Sequence, residues 1–455
     1  MEEPKERRLN IVMLPWLAHG HASPFLELAK KIGKRNHTIH VCSTKVILDS
    51  VKKRVNEIDH PFLHFIEIQL PYPPELPPHH HTTTGLPPHL NHTLMKTFQM
   101  AGPAFSDILK QIKPDLVICD VLNPWAHDVS ASLSVPAIMF HVTSVAILCY
   151  GFHMTTDYGI SKFPYPELIP QDPYWFQKYE EDQSKEIDVD VDEEGVINHF
   201  SNLKSFEIIL AKTFGEIDEQ YVDYTSSLIG KRVIPTGPLV KDAAEGDALN
   251  EYGKNIIEWL DKKEKASTVL VSFGSECYLS KEDRYQMAYG LEQSTVNFIW
   301  VIQFPLEQKI RIEESLPEGF LKRVGERGLM VDKWIPQARI LAHESTGGFI
   351  THCGWGSITE AIAFGVPIIS MPVQYDQPNN ASMVVNAGVG VEVYRAKDGG
   401  FNGPEIARVT RELLVEDKGK EIRKKAREIK EKFIREGDDR EIDALVKELT
   451  NICHK

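Results

Sequence analysis

The chain has 455 residues, of which 42% are hydrophobic and 25% are charged, the proportions of a globular protein with two or three domains. Its 51 basic and 65 acidic residues give a formal net charge of −14, which argues against a nucleic acid or an anionic membrane as partner. The N-terminus is too charged for a signal peptide and no apolar run reaches transmembrane length, so we expect a cytoplasmic protein without a transmembrane segment. The six cysteines are scattered without a C-x-x-C pair, which indicates reduced thiols and neither a disulfide framework nor a zinc site.

In the first half of the chain, apolar strands alternate with amphipathic helices. The predicted strands are 9–14, 38–42, 65–70, 116–119 and 136–140, and the predicted helices are 24–32, 94–112 and one from about Trp125. This alternation favours a parallel, doubly wound α/β domain. Residues 164–194 are rich in Pro, Tyr and acidic side chains, and we interpret them as an excursion on the surface.

A polar linker precedes a second alternation of the same kind. The predicted strands there are 268–273, 298–302, 347–351 and 366–371, and the predicted helices are 281–292, 418–432 and 441–452. We therefore predict an N-terminal domain over 1–238, a linker over 239–250, a C-terminal domain over 251–435 and a C-terminal helix over 436–455 that packs back on the N-terminal domain. The sequence predicts an α/β protein with two Rossmann-like, doubly wound domains.

Residues 334–377, WIPQARILAHESTGGFITHCGWGSITEAIAFGVPIISMPVQYDQ, are the most informative segment. A short strand leads to a turn with His352, Gly354, Gly356 and Ser357, and an apolar helix follows. Ser357 and Glu360 have the spacing of a capping box, which predicts that the helix begins at Ser357. Strand, glycine-rich turn and helix N-terminus in this order are typical of a site that binds an anion, above all a phosphate.

The same segment resembles the signature of plant UDP-dependent glycosyltransferases, W-x-P-Q…H-x3-G-x-F-x-[ST]-H-C-G-W-N-S…E…G-V-P…P…D-Q. The resemblance implies the GT-B fold, with an active site in the cleft between two domains, and a UDP-sugar as co-substrate. It differs at one position, because Gly356 stands where the family usually has Asn. An Asn that helps to bind the diphosphate would contribute about 1.5–3 kcal/mol as a hydrogen bond to a charged group.

The resemblance also implies a role for each residue of the donor site. Trp334 would stack on uracil, Gln337 and Glu360 would contact uracil and ribose, and Asp376 and Gln377 would bind the sugar hydroxyls. The diphosphate site would comprise Ser275, His352, Gly354, Trp355, Gly356 and Ser357. Singly, each residue has a simpler explanation, since Trp334 could be a core residue and Ser357 with Glu360 only a helix cap.

Transfer to a hydroxyl also needs a base, and His21 is the candidate. It follows the first strand in the sequence LPWLAHGHASP, and ligands of open α/β sheets bind beyond the carboxyl ends of the strands. A histidine with an ordinary pKa near ~6.5 can accept a proton at neutral pH, although a His here could also simply cap the next helix. The family's G-H-x-x-P context selects His21 over its neighbour His19. The resemblance also implies that an Asp at a strand end pairs with the base, and Asp120 is that residue here. Without the resemblance, Asp120 could simply cap a turn.

Two further motifs have simpler explanations. Asp188, Asp190 and Asp192 have D-x-D spacing, but no phosphate-binding turn adjoins them, so a solvated acidic loop is favoured over a metal site. The run 79–81, three histidines between prolines, lacks the spacing of a metal site. We interpret it as a loop near the acceptor. No metal and no resident cofactor are therefore expected.

The resulting prediction is an inverting, metal-independent hexosyltransferase that acts as a monomer and uses a UDP-sugar, with UDP-glucose favoured by Gln377. Several stretches resemble the branch-forming members of the family, which add a sugar to a sugar of a plant terpenoid or flavonoid glycoside. Trp16, Glu276 and Tyr375 are the candidate acceptor contacts. Three alternatives stay open: transfer directly to an aglycone, a UDP-sugar-binding protein that Gly356 has made inactive, and a metal-dependent enzyme that uses the D-x-D residues.

Overall fold

The computed structural model describes residues 7–56, 58–71, 73–156, 162–184, 206–241, 243, 251–304, 310–436 and 439–453. The chain divides into two compact units. The first is built from the described residues within Met1–Ser161, Val189–Leu239 and Gly437–Lys455, and the second from those within Lys162–Asp188 and Val240–Glu436.

The first unit contains a seven-stranded parallel sheet. Its strands are β1 (Asn10–Leu14), β2 (Thr38–Ser43), β3 (Leu63–Glu67), β4 (Leu116–Asp120), β5 (Ala137–His141), β6 (Ile208–Ala211) and β7 (Arg232–Pro235). The order in space is β3-β2-β1-β4-β5-β6-β7. Strands β2 and β3 are therefore added on one side of β1, and the order reverses at β4, which is added on the other side. Ligands of doubly wound sheets bind at the carboxyl ends of the strands beside such a reversal.

The helices of the first unit cover this sheet. They are α1 (His19–Gly33), α2 (Lys45–Lys52), α3 (Asn91–Gln99), α4 (Gly102–Ile112), α5 (Trp125–Ser132), α6 (Val145–Met154), α8 (Gly215–Asp218), α9 (Val222–Ile229) and the C-terminal helix α19 (Asp439–Ile452). Between α6 and α8 the chain contributes α7 (Pro173–Ser184) to the second unit. Helix α19 is attached to the first unit by ion pairs of Arg35 with Asp443 and of Arg232 with Glu448.

The second unit repeats the design with six parallel strands. These are β8 (Thr268–Ser272), β9 (Asn297–Val301), β10 (Gly328–Val331), β11 (Thr346–Thr351), β12 (Ile368–Ser370) and β13 (Gly390–Glu392), in the order β10-β9-β8-β11-β12-β13. The helices are α10 (Glu251–Leu260), α11 (Lys281–Ser294), α12 (Ile312–Ser315), α13 (Phe320–Val324), α14 (Gln337–Ala342), α15 (Trp355–Ala363), α16 (Gln377–Asn386), α17 (Gly403–Leu414) and α18 (Lys420–Glu436). The predicted α/β class with two doubly wound domains is confirmed.

Several predicted elements differ from the structure, and three of them have a clear physical reason. The predicted helix over 94–112 is two helices, α3 and α4, because Pro103 in the first turn of α4 supplies no N–H and disfavours a helical residue before it. Strand β3 ends at Glu67 instead of residue 70, since its partner β2 ends at Ser43. Helix α1 begins at His19, five residues before the predicted start at Pro24, because Pro24 is accommodated within the helix.

The interpretation of 164–194 as a surface excursion is wrong for its first part. Leu168 and Trp175 are buried, and Asp172 is fully buried. The Asp172 carboxylate accepts a hydrogen bond from the backbone N–H of Arg395, in the second unit, at 2.7 Å. Residues 185–205, which include the D-x-D aspartates, and most of the predicted linker lie outside the described residues.

Candidate functional site

In the first unit, His21 and Asp120 are in direct contact. The Nδ1 atom of His21 lies 2.8 Å from Oδ2 of Asp120, a contact that sequence alone could only suggest. His21 is the third residue of α1, which follows β1, and Asp120 is the last residue of the neighbouring strand β4. A carboxylate can only accept at this contact, so Nδ1 carries the proton, and in the neutral ring the lone pair is on Nε2.

The aspartate of this pair is rigidly held. Its side chain is completely buried, whereas about 20% of the His21 side chain is exposed. The second carboxylate oxygen of Asp120 accepts the backbone N–H of Leu122 at 3.0 Å. Fully buried Asn123 donates its Nδ2–H to the carbonyl oxygen of Leu14, at the end of β1, which connects the two strand ends that carry the pair. Sequence analysis missed Asn123, although a polar residue just after a strand is a recognisable signal.

The neighbouring His19 differs from His21 in its surroundings. Burial, with a smaller effect from the charge of Arg54, lowers the pKa of His19 to about 4. Its Nδ1 atom is buried without a hydrogen-bond partner, and in the described part of the chain no carboxylate forms an ion pair with it. Of the two histidines in the first turn of α1, His21 therefore has the geometry of a general base.

In the second unit, β11, a tight turn and α15 form the predicted strand–turn–helix arrangement. The helix begins at Trp355 with Gly354 as its N-cap. The predicted capping box at Ser357 and Glu360 is therefore wrong, because Ser357 already lies inside the first turn. Cys353 in the turn adopts a left-handed conformation, with φ of +68°. The first-turn N–H groups and the positive end of the helix dipole suit a phosphate ligand.

His352 stands in front of this helix, between two glycines. A Cβ atom would lie 2.7 Å from the His352 ring if added at Gly274, and 2.8 Å from it if added at Gly354. Both positions therefore need glycine so that the imidazole can occupy the space. Burial lowers the pKa of His352 to about 4, so at neutral pH the ring is uncharged and can offer one N–H donor.

The residues predicted to bind uracil and ribose are also brought together in part. Gln337, the first residue of α14, donates from Nε2 to Oε2 of Glu360 on α15 at 2.8 Å. This non-local contact explains why Glu360 does not serve as a helix cap. The indole of Trp334, just before α14, is 53% exposed. A large exposed aromatic face is suited to stacking on a planar base.

The end of the signature segment forms the start of helix α16. Gln377 is buried, and its Oε1 atom accepts the backbone N–H groups of Val373 and Gln374 at 2.9 and 3.0 Å. The amide Nε2 of Gln377 is consequently the group that can donate to a ligand. Asp376 accepts a hydrogen bond from Nδ2 of Asn380 at 2.9 Å. Asn380 is buried, and sequence analysis overlooked it because it lies just beyond the signature.

The remaining residues that the sequence predicts for the donor site lie along the same sheet edge of the second unit. Ser275 follows β8 in the loop that contains Gly274, and Trp355 is buried at the start of α15. Gly356, the second residue of α15, is exposed, and a Cβ added to it would meet no atom within 4 Å. The position thus has room for the side chain that this sequence lacks.

The three residues suggested for the acceptor have different surroundings. Trp16, in the first unit, is only 6% exposed and packs against Phe98 with ring centroids 5.7 Å apart, so most of its ring belongs to the core. In the second unit, Glu276 is exposed. Tyr375 is 79% exposed and has a left-handed backbone with φ of +56°. This strained conformation directs the chain through the turn that precedes Asp376.

Among the described residues, no group of three or more His, Cys, Asp or Glu side chains could hold a metal ion. Within the same part of the chain, no helix is long and apolar enough to cross a membrane. The cysteines are free thiols, and burial raises the pKa of Cys42 and Cys353 to about 12, so these two thiols are chemically inert.

Comparison with known proteins gives matches over nearly the whole chain. The family model "UDP-glucoronosyl and UDP-glucosyl transferase" matches residues 236–398 and the model "Glycosyltransferase, N-terminal domain" matches residues 7–224. A mogroside IIIx synthase of Siraitia grosvenorii is 45% identical over 441 residues, covering 97% of this chain and 92% of the relative. The beta-D-glucosyl crocetin beta-1,6-glucosyltransferase of Gardenia jasminoides is 42% identical, covering 97% and 98%.

A third relative and a solved structure agree with these matches. The flavanone 7-O-glucoside 2''-O-beta-L-rhamnosyltransferase of Citrus maxima is 39% identical, with both chains fully covered. The structure of Phytolacca americana UGT2 with UDP-2fluoro-glucose and pterostilbene is similar with a TM-score of 0.75 and 26% identity, covering 97% of this chain and 100% of that one. With this similarity and the arrangement of its strand–turn–helix site, the chain belongs to the UDP-dependent glycosyltransferases of plants, enzymes of the GT-B fold that transfer a sugar from a UDP-sugar to an acceptor.

Proposed function

We propose that this enzyme transfers glucose from UDP-glucose to a hydroxyl of a sugar that is already attached to a plant terpenoid or flavonoid, with inversion and without a metal. The names of the relatives support the acceptor class. Synthesis of a mogroside, glucosylation of a glucosyl crocetin and rhamnosylation of a flavanone glucoside are each named for relatives at 39–45% identity. Glucose is the favoured sugar because Gln377 resembles that of glucose-using members.

The observation that supports the mechanism is the 2.8 Å contact between His21 and Asp120. His21 Nε2 removes the proton of the acceptor hydroxyl while that oxygen attacks the anomeric carbon from the face opposite UDP. The bond between the anomeric carbon and the diphosphate oxygen breaks in the same step, which inverts the configuration. The imidazolium that forms is stabilised by the Asp120 carboxylate. A positioned general base contributes roughly 10²–10⁴ in rate.

The donor is bound by the second unit. Trp334 stacks on uracil, and Gln337 and Glu360 bind uracil and ribose as a hydrogen-bonded pair. His352, Ser275, Ser357 and the N-terminus of α15 bind the diphosphate and stabilise the charge that develops on the departing UDP. Asp376 accepts hydrogen bonds from the sugar hydroxyls, and Gln377 donates one through Nε2. A neutral His352 serves here as a hydrogen-bond donor and not as a counter-charge.

The division of labour between the domains follows from these assignments. Residues 1–238 form the acceptor domain, except for the segment 162–184, which belongs to the second unit. Residues 251–435 form the donor domain, 239–250 the linker, and 436–455 a helix that belongs with the acceptor domain. Glu276 and Tyr375 are exposed and contact the acceptor. Trp16 contributes chiefly by packing beneath the acceptor site, because so little of it is exposed.

The test is a transfer assay with UDP-glucose, with and without EDTA, on a panel of plant aglycones and their monoglucosides, with mass-spectrometric detection. We expect a hexose to be added to monoglucosides, equally with EDTA, by the wild type and not by His21→Ala. His19→Ala is the matched control, since it removes a second histidine of the same helical turn, and we expect it to keep most of the activity.

Each other outcome of this assay selects a different function. Transfer to bare aglycones would make the protein an ordinary aglycone glucosyltransferase. Loss of product with EDTA would contradict the metal-independent mechanism. Binding of UDP-glucose without any product would identify a UDP-sugar-binding protein, and product from His21→Ala at the wild-type rate would refute the assigned base.

A further inference from the structure

Asn380 of α16 connects two parts of the donor site. It is completely buried, and its Nδ2 atom donates to the carbonyl oxygen of Cys353 at 3.1 Å and to Oδ2 of Asp376 at 2.9 Å. Both partners can only accept hydrogen bonds. The orientation of the amide is therefore fixed, because exchanging its nitrogen and oxygen would place an acceptor against two acceptors.

The carbonyl that Asn380 holds belongs to a strained residue. Cys353 has φ of +68°, a conformation that residues with a Cβ rarely adopt and that persists only where the surroundings hold it. Cys353 lies between His352 and Gly354. These three residues form the turn between β11 and α15 that is proposed to bind the diphosphate, called the diphosphate turn below. The hydrogen bond from Asn380 is one of the contacts that hold this turn in its conformation.

We propose that Asn380 is a positioning residue that couples the diphosphate turn to the sugar-binding carboxylate of Asp376. The proposal rests on the function proposed above for His352 and Asp376. One NH₂ group binds the backbone of the turn and the carboxylate at the same time, so the spacing between the diphosphate and sugar sites is set by a single rigid side chain. Because the donating group is neutral, Asn380 holds this carboxylate in place without adding a charge to the sugar site.

A neighbouring asparagine shows that helix α16 is also held in place by contacts other than those of Asn380. Asn379 is also buried and donates from Nδ2 to the carbonyl oxygen of Leu168 at 2.8 Å. Near the other end of the helix, Asn386 donates to the carbonyl oxygen of Glu167 at 2.9 Å. Both contacts join α16 to the segment 162–184 and neither touches the diphosphate turn. Asn379→Ala therefore removes the same kind of hydrogen bond from the same helix without breaking the coupling.

The experiment measures dissociation constants for UDP and for UDP-glucose by calorimetry, with the melting temperature of each variant. We expect Asn380→Ala and Asn380→Asp to weaken UDP-glucose at least about 10-fold, the loss of a hydrogen bond to a charged group. UDP, which lacks the glucose that Asp376 binds, should weaken less, so the ratio of the two constants changes. Asn379→Ala should lower the melting temperature and leave this ratio unchanged.

A double-mutant cycle separates positioning from general stability. If Asn380 acts through Asp376, then Asn380→Ala should weaken UDP-glucose far less in an Asp376→Ala background than in the wild type. Additive effects, or the same change of the ratio in Asn379→Ala, would overturn the proposal. Failure of both Asn380 variants to fold would assign the residue to stability alone and overturn it equally.

These constants need no turnover, so the two proposals can fail separately. A wild type that binds UDP-glucose more tightly than UDP but forms no product contradicts the proposed function and leaves the coupling to be decided by the variants. A wild type whose affinity for UDP-glucose is the same as that of Asp376→Ala has no glucose recognition through Asp376 for Asn380 to position, which also refutes the inference.

Discussion

The substitution Gly356→Asn should strengthen the binding of UDP-glucose. Gly356 is the second residue of α15, and a Cβ added there meets no atom within 4 Å. Gly356 does not have a left-handed backbone conformation, so a residue with an L side chain can replace it without backbone strain. The added carboxamide would stand beside the first-turn N–H groups of the helix, where the family's usual Asn is expected to contact the diphosphate.

The magnitude follows from two opposing contributions. A hydrogen bond from an amide to a charged phosphate contributes about 1.5–3 kcal/mol, and ordering one side chain on binding costs about 0.5–1.5 kcal/mol. The net gain is therefore roughly 0–2.5 kcal/mol, with a midpoint of ~1.3 kcal/mol, which corresponds to about 8-fold at the midpoint and at most about 60-fold in the dissociation constant, at a tenfold change for every 1.4 kcal/mol. Helix propensity adds only a few tenths of a kcal/mol, and it acts on stability instead of binding.

The control for this prediction is Gly356→Ala. Alanine raises the helix propensity even more than asparagine does but adds no polar group, so it should increase the melting temperature and leave the dissociation constant for UDP-glucose unchanged. Calorimetric titration of both variants with UDP-glucose decides the question. Equal affinities for the two variants, or weaker binding by Gly356→Asn, would refute the reasoning that this position faces the diphosphate.

Three further predictions concern the base, the uracil site and stability. Asp120→Asn should lower kcat roughly 10²–10⁴-fold with unchanged UDP binding, because the amide donates to Nδ1 of His21 and moves the ring proton to Nε2; a wild-type kcat would exclude the dyad. Trp334→Ala should weaken UDP about 5- to 150-fold through the loss of ~1–3 kcal/mol of stacking, and Trp334→Phe should recover most of it; equal affinity of all three proteins would exclude stacking. Burial, with a smaller effect of Asp172, raises the pKa of Glu392 from 4.5 to about 8, so the folded protein retains a proton that the unfolded chain releases, and the free energy of unfolding falls as pH rises across this range. Glu392→Gln should therefore match the wild type near pH ~4.5 and exceed its free energy of unfolding by on the order of 5 kcal/mol at pH ~9 in denaturant titrations. A difference between the two proteins that does not change with pH would contradict the shifted pKa.

Much of the fold could be predicted because its strands are nearly continuous apolar runs. Such runs are typical of parallel strands covered on both faces, and β1, β4, β8 and β11 are each almost completely buried. The ends of elements were harder to predict. Strand β3 stops where its partner stops, and pairing between separate segments leaves no mark in the local sequence.

The segment 162–184 shows a different limit of sequence reasoning. Its prolines, tyrosines and acidic residues have the composition of a surface loop, and it lies within the stretch of chain that builds the first sheet. Yet Asp172 is fully buried against the backbone of Arg395, and Asn379 donates to Leu168 across 211 positions of the chain. The composition of a segment shows which hydrogen-bonding groups it contains. It does not show which backbone groups from distant parts of the chain will pair with them in the folded protein.

The candidate site could be predicted where a polar residue lies at the end of a strand. It could not be predicted where a side chain forms a hydrogen bond with a residue far away in the sequence. His21 follows β1 and Asp120 is the last residue of β4, and the pairing of these two adjacent parallel strands brings the side chains together. By contrast, Ser357 and Glu360 have the spacing of a capping box, but the helix begins two residues before Ser357, and Glu360 binds Gln337 instead. Residue 354 is glycine because a side chain there would strike His352, and Gly274, 80 positions earlier in the sequence, is glycine for the same reason. The space required by one imidazole thus demands glycine at two positions far apart in the chain, a requirement that no local pattern within α15 could indicate.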